Sequence, residues 1–330
     1  MNISQWSEWS GSDYEWDELQ LKTAAGCVYQ TTSWANHRKR FGWSATRVVH
    51  ESGSCSAQIL CRTVLGTTIA WIPGGPVGDL TKIDQEFAAS VKRACRAGMV
   101  YLRINSLMSC NPEFEQALSN GGFRRARHKL SSGQSLLLDL SADASTRKAR
   151  LSRNWGRNLR RGESRNAKPY LWLNVSPTEI AALYEQMAIL KDLKDQSEIP
   201  NLETVTSLVD NCSNYLHVVR CDDESGKPLA IRGGLVVGEQ AWDIFAAVSL
   251  QGRKQYSSYV TAWRLFNHCA ELEVKGYDLS GVDPINNKGV YDFKHGTGAT
   301  EFAYLGEWEH GSPFFVQEIV GRMLKYRKTI

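Results

Sequence analysis

The stretch KGYDLSGVDPINNKGVYDFKHGTGATEFAYLGEW, residues 275–308, decides how the rest of the chain is read. Gly276-Tyr277-Asp278-Leu279-Ser280 has the pattern of a short strand, and the Gly/Asn/Pro-rich residues after it read as a loop. Tyr291-Asp292-Phe293-Lys294-His295 then sets a lysine between a phenyl ring and the Gly296-Thr297-Gly298 turn, and a final strand follows. A lysine placed there, after a loop that cannot be helical, is positioned to line a cleft as a fixed cation. That is what an acyl-transfer site needs opposite a developing oxyanion. The plainer alternative is a solvated lysine, since Lys is mostly exposed in folded proteins.

The chain has 330 residues, enough for two domains that each bury a core. Its 42% hydrophobic and 22% charged content describe a soluble globular protein. The net charge of +4 is too mild to demand nucleic acid, but it permits a local basic site. The Trp-rich, acidic first residues do not read as a signal peptide, and no apolar run approaches the ~20 residues of a membrane span. Eight scattered cysteines with no Cys-x-x-Cys pair read as reduced, mostly buried thiols, so a cytoplasmic protein without a metal is expected.

Periodicity predicts a helix between residues 15 and 30, a helix over 34–41 capped by Ser33, a hairpin of strands 46–50 and 57–65, and a strand over 67–72. A helix over 81–97, a strand over 99–104, a helix over 111–120 and a strand over 135–140 complete a first α/β unit. A basic stretch, residues 147–165, opens the second half. Strand 170–175, helices 177–193 and 202–212, strands 215–221, 228–237 and 241–247, and a long helix 256–273 follow. The last helix is expected over 313–326. The two halves repeat one order of elements without repeating residues.

That order resembles two GNAT acyltransferase units in tandem, and the run YDLSGVDPINNKGVYDFKHG resembles the Fem family of peptidyltransferases. Members of that family move an amino acid from aminoacyl-tRNA to an amine of a peptidoglycan precursor. The fold class implied is α/β (α+β), with two GNAT-like domains, each a mixed, mainly antiparallel sheet flanked by helices. Domain 1 is expected over 1–145 plus the C-terminal helix 313–330 and binds the acceptor; domain 2, over 146–312, holds the donor and the catalytic lysine. No heptad run is present, so the chain looks like the family members that lack a coiled-coil arm.

The resemblance assigns roles residue by residue. Lys294 is implied as the catalytic cation, with Phe293 beside it. Tyr256 and Tyr259 match a tyrosine-bearing helix start that faces the substrate cleft. Gln30-Thr31-Thr32-Ser33-Trp34-Ala35-Asn36-His37-Arg38 looks like the family's Gln-x-x-x-Trp-Ala-x-x-Lys, whose lysine contacts the acceptor's diphosphate; here Arg38 keeps the charge and changes its geometry. Arg103 and Asn105 stand where the family has an Arg-x-Asp that touches the acceptor peptide, with Asn in place of the acid. The missing acid points toward a non-standard acceptor, such as a peptide-like antibiotic intermediate.

In the basic stretch, Arg153, Arg157, Arg160 and Arg161 are candidates for the phosphates of tRNA. The alternative there is a solvated helix with Leu151, Trp155 and Leu159 buried. The chain has no Gly-x-Ser-x-Gly, His-Glu-x-x-His, P-loop or Cys/His metal spacing. The helix start at residues 251–259 carries Tyr and Ser where a CoA-binding turn has glycines, which hinders close approach of a pyrophosphate.

The reading is an aminoacyltransferase with aminoacyl-tRNA as donor substrate and no cofactor. Its acceptor is the amine of a cell-wall precursor or natural-product intermediate. An acyl-CoA or acyl-carrier GNAT enzyme is the alternative, and a catalytically dead binding module is a third.

Overall fold

The computed structural model describes residues 5–22, 26–165, 168–191 and 199–324. It forms two compact units: one gathers the chain up to Gln134 and again from Phe302, and the other is Ser135–Glu301. Twelve α-helices and fourteen strands are present among the described residues, a mixed α/β architecture. No helix there is long and apolar enough to cross a membrane.

In the first unit, strands Ser44–His50, Cys55–Val64 and Thr67–Pro73 make an antiparallel meander. Thr67–Pro73 then pairs in parallel with Met99–Ser109, from Thr67↔Met99 to Pro73↔Asn105. A parallel pair needs a crossover, and helix Gln85–Ala94 supplies it. The helix expected over 81–97 starts later because Asp84 caps it, accepting from the Phe87 amide, while Leu80–Lys82 forms a separate 3-10 turn. Thr31, not Ser33, caps helix Thr32–Lys39. Val91, Phe87 and Leu80 pack with Ile59, Ile72 and Trp308 into the core. Helix Phe314–Leu324 lays Val316 and Leu324 on Tyr101; the expected helical residues after 324 fall outside the described ones.

The second unit repeats the scheme. Leu216–Asp222, Pro228–Val237 and Gln240–Val248 form the meander, helix Ser257–Glu271 crosses over, and Gly276–Asp278 pairs in parallel with the start of Gln240–Val248. Gln134–Asp139 pairs antiparallel with Gly276–Asp278, and Tyr170–Leu171 forms the edge beside Leu216–Asp222. The edge strand expected over 170–175 therefore ends after two residues. Between Gln240–Val248 and Pro228–Val237 the register shifts: Gly233 faces Phe245 but Gly234 faces Asp243, which leaves Ile244 as an extra residue. A bulge of this kind bends the strand and re-aims its side chains.

The short helix Leu250–Lys254 was not legible as an element. Its Gly252 is forced, since a Cβ there would stand 2.1 Å from the Leu229 carbonyl oxygen.

Candidate active site

Lys294 lies in the last turn of helix Lys288–His295, so the surroundings of the lysine are helical where a loop was expected. Only Asp283 and its neighbours before Asn287 keep a turn, tied by the Asp283 carboxylate to the amides of Ile285 and Asn286. The helix carries the lysine inward: Lys294 is 9% exposed. Its Nζ donates to the carbonyls of Gly281 at 2.9 Å and Ser280 at 3.2 Å. An ammonium has three N–H donors, so one remains for a substrate.

Ser280 is held unusually. Its φ of 62° is left-handed, a conformation costly for a residue with a side chain. Two bonds hold it there: its amide donates to Asp278 Oδ1 at 2.7 Å, and its hydroxyl to the Asp243 carbonyl at 2.7 Å. Asp278 Oδ1 also accepts from the Ser135 hydroxyl.

Asp243, the residue beside the bulge, has a side chain only 7% exposed, which accepts a two-pronged pair of bonds from Arg232, Nε at 2.9 Å and Nη2 at 2.8 Å, plus one from the Tyr277 hydroxyl at 3.0 Å. Burial raises the Asp243 carboxyl above its ordinary value, opposed by Arg232 and Lys294. Burial lowers the Lys294 amine below its ordinary value, opposed by Asp243. The Arg232 guanidinium lies over the Phe293 ring, 5.3 Å from its centre.

Lys294, Phe293, Arg232 and Asp243 line a cavity of about 500 Å³ within the second unit, together with Tyr256, Tyr259 and Arg253. Its aromatic wall is built by contact: the Tyr259 ring lies 5.1 Å from Phe293 and 5.2 Å from Trp155. Met187, Ile231 and Val248 give it an apolar side. Lys294, Phe293, Tyr256 and Tyr259 are thus brought together. Arg232 and Asp243 were missed, although an arginine interrupting the apolar run Leu229-Ala230-Ile231-Arg232-Gly233-Gly234-Leu235 is a signal, since a charge in a buried strand needs a partner.

Tyr256 precedes helix Ser257–Glu271 in a left-handed conformation, φ 59°. Arg161 and Arg165 place their guanidiniums 5.5 and 5.2 Å from its ring centre. They extend from helix Arg153–Ser164, whose Trp155 and Leu159 are buried while Arg153, Arg157, Arg160 and Arg161 are exposed. Gly162 permits this close packing, because a Cβ there would meet Val260 at 2.8 Å.

The remaining candidates are in the first unit. Arg38 is half-buried, its guanidinium 5.4–5.8 Å from the ring centres of Phe41, Trp43 and Trp71. Its Nε is buried without a hydrogen-bond partner, and burial with Arg62 nearby lowers its pKa. Arg103 is occupied otherwise than expected: it is 3% exposed, with Nε 2.9 Å from Glu307 and Nη1 2.9 Å from the Tyr101 hydroxyl. A guanidinium so engaged has no face for an acceptor. Asn105 is half-buried, and its carbonyl accepts the Gly74 amide at 2.8 Å.

A second cavity of the Ser135–Glu301 unit, about 700 Å³, is lined by His217 and His268, whose ring nitrogens are hydrogen-bonded at 3.0 Å. No group of three or more His, Cys, Asp and Glu among the described residues is gathered to hold a metal ion.

Residues 185–311 match the model of the FemAB family. Among solved structures, FemX is similar at a TM-score of 0.81 and 15% identity, over 96% of this chain and 100% of that one. A tandem GNAT protein from the clavulanic acid biosynthesis pathway is similar at 0.55 and 11% identity, over 93% and 98%. L-PGS from Bacillus licheniformis is similar at 0.53 and 12% identity, over 86% and 90%. No protein of curated function matches the chain in sequence. The family match covers the residues that line the cavity holding Lys294, and the FemX likeness shows the same fold over nearly the whole chain.

Proposed function

We propose that this Fem-family protein is an aminoacyltransferase that forms an amide bond, taking the acyl group from an aminoacyl-tRNA ester. The observation that carries the reading is Lys294: a buried lysine with two N–H groups committed to carbonyls, set in a cavity inside the family-matching segment.

The acceptor amine attacks the ester carbonyl carbon, and the tetrahedral oxyanion takes the remaining Lys294 N–H. The bond from carbon to the ribose oxygen then breaks, and the proton lost by the amine ends on that oxygen. The ester is already activated, so orientation and charge carry the catalysis. Tyr259 and Phe293 form the wall against which the acyl group lies. The exposed Arg153, Arg157, Arg160 and Arg161 face solvent and suit the phosphates of the tRNA end.

In the first unit, Arg38 carries an unpartnered buried Nε among three aromatic rings, which fits an anionic group of the acceptor such as a phosphate. The acceptor is the amine of a peptidoglycan precursor or of a peptide-like intermediate. Arg103 leaves that list because Glu307 already holds it.

The test incubates the protein with tRNA charged with labelled amino acids and candidate amine acceptors. Label should move into a base-stable small product, and prior RNase should abolish the transfer. Acyl-CoA turnover with no RNase-sensitive transfer would replace the tRNA donor by CoA. Full activity in Lys294→Ala would remove the lysine from the mechanism.

A further inference from the structure

Lys294 reaches Asp243 by two physical routes. The first is through charge. Asp243, paired with Arg232, lines the same cavity as Lys294, and its negative charge favours the ammonium form of the lysine while Arg232 opposes it. The second is through the backbone: the Asp243 carbonyl accepts the Ser280 hydroxyl, and the Ser280 carbonyl in turn accepts Lys294 Nζ. The bulge at Ile244 is what allows one residue to serve both routes, because it turns the Asp243 carboxylate onto Arg232 and Tyr277 at the point where the strand meets Ser280.

We propose that Asp243 is the positioning residue that keeps Lys294 charged and aimed, an inference resting on the reading of Lys294 as the cation of the transfer. The other groups facing the amine are few. Asp278, on strand Gly276–Asp278, adds a second anionic contribution, and Arg232 an opposing one. Arg253, Tyr256 and Tyr259 line the same cavity from the segment that opens helix Ser257–Glu271. Burial and the neighbouring Arg232 both work against the charged form of Lys294, so an anion nearby is needed to favour it. Asp243 contributes more to that than Asp278 does. Its carboxylate is spent on Arg232 and Tyr277, so it acts on the lysine through field and backbone rather than by direct contact.

The charge of Lys294 can be read without any transfer activity, from the pH dependence of its acylation by acetic anhydride followed by peptide mass spectrometry, since only the free amine reacts. Asp243→Asn should make Lys294 about tenfold more reactive at a fixed pH below its titration, the equivalent of a pKa lower by about one. Adding Arg232→Gln should return the reactivity most of the way to the wild-type value, because the opposing charge is then gone too. A lesion that merely loosens the fold would not be reversed by a second buried substitution. In the transfer assay the alkaline limb should move to lower pH in Asp243→Asn and back in the double variant.

Ser280→Gly tests the backbone route separately and relieves the left-handed strain. It should raise Lys294 labelling several-fold and lower kcat with KM held. Unchanged Lys294 titration in Asp243→Asn overturns the charge route, and wild-type labelling in Ser280→Gly overturns the backbone route. If Asp243→Asn does not fold, Arg232→Gln alone reads the charge route: removing the opposing cation should lower Lys294 labelling several-fold, and unchanged labelling overturns that route. A shifted titration in a protein that shows no transfer would leave this inference standing and sink the proposed function; active transfer with an unmoved titration would do the reverse.

Discussion

Arg161 Nη1 donates to the Tyr256 hydroxyl at 3.1 Å, joining the basic helix Arg153–Ser164 to the left-handed residue that opens helix Ser257–Glu271. Tyr256 also lines the cavity that holds Lys294, so a group bound along the exposed arginines has a route to the lysine over one phenol. Tyr256→Phe keeps the ring under both guanidiniums and removes this bond alone. A single exposed hydrogen bond contributes about 0.5–1.5 kcal/mol, so kcat/KM should fall about three- to tenfold. The melting temperature should stay within a few degrees of the wild-type value, and combining the change with Arg161→Ala should add little.

Lys294→Ala should lower transfer by about a hundredfold or more, the loss found when one oxyanion donor is removed. Lys294→Arg should not rescue it, because a planar fork cannot occupy the seat between the Ser280 and Gly281 carbonyls. Burial holds the amine below its ordinary value of 10.5, so the ammonium is lost earlier on raising the pH. The wild-type rate should accordingly decline along an alkaline limb that starts below that value, read from kcat/KM against pH.

Arg103→Met strands the Glu307 carboxylate, which otherwise also accepts from the Leu130 and Ser131 amides. Breaking a buried pair from one side costs about 3–5 kcal/mol, and urea denaturation should show a loss of that size. Activity per folded molecule should be preserved. A stable variant with a raised KM for the acceptor would restore Arg103 to the binding site.

His217 and His268 are both held below the ordinary imidazole value of 6.5, first by burial and then by a cationic neighbour, His268 for the one and Arg264 for the other. A group with a depressed folded pKa contributes stability that is present above its unfolded pKa and is lost as pH falls through the folded one. Melting of the protein should therefore be flat near neutrality and drop on acidification below about 6.5. His268→Gln should flatten that drop. An equal acid sensitivity in the variant would assign the effect elsewhere.

Most of the order of elements is written in the chain, because apolar periodicity and capping residues are local; the short helices Leu250–Lys254 and Lys288–His295 are not. The meander and crossover of each half follow from alternating stretches such as residues 46–50 and from helix faces such as that of Gln85–Ala94. The segment around Lys294 was marked by the same local chemistry, and with Tyr256, Tyr259 and Phe293 it lines one cavity. Other features depended on partners far away in the chain. Arg103 reads as a free cation until Glu307, 204 residues on, closes on it. Arg232 and Asp243 pair only because two strands meet at a bulge, and His217 meets His268 only when a helix packs across its strand. Even the helix at Lys294 escaped a local reading, since Gly289 and the preceding Asn-rich turn argue against it and burial of the lysine decides for it. Propensity and pattern act over a few residues, whereas the partner of a buried charge is chosen by the whole fold.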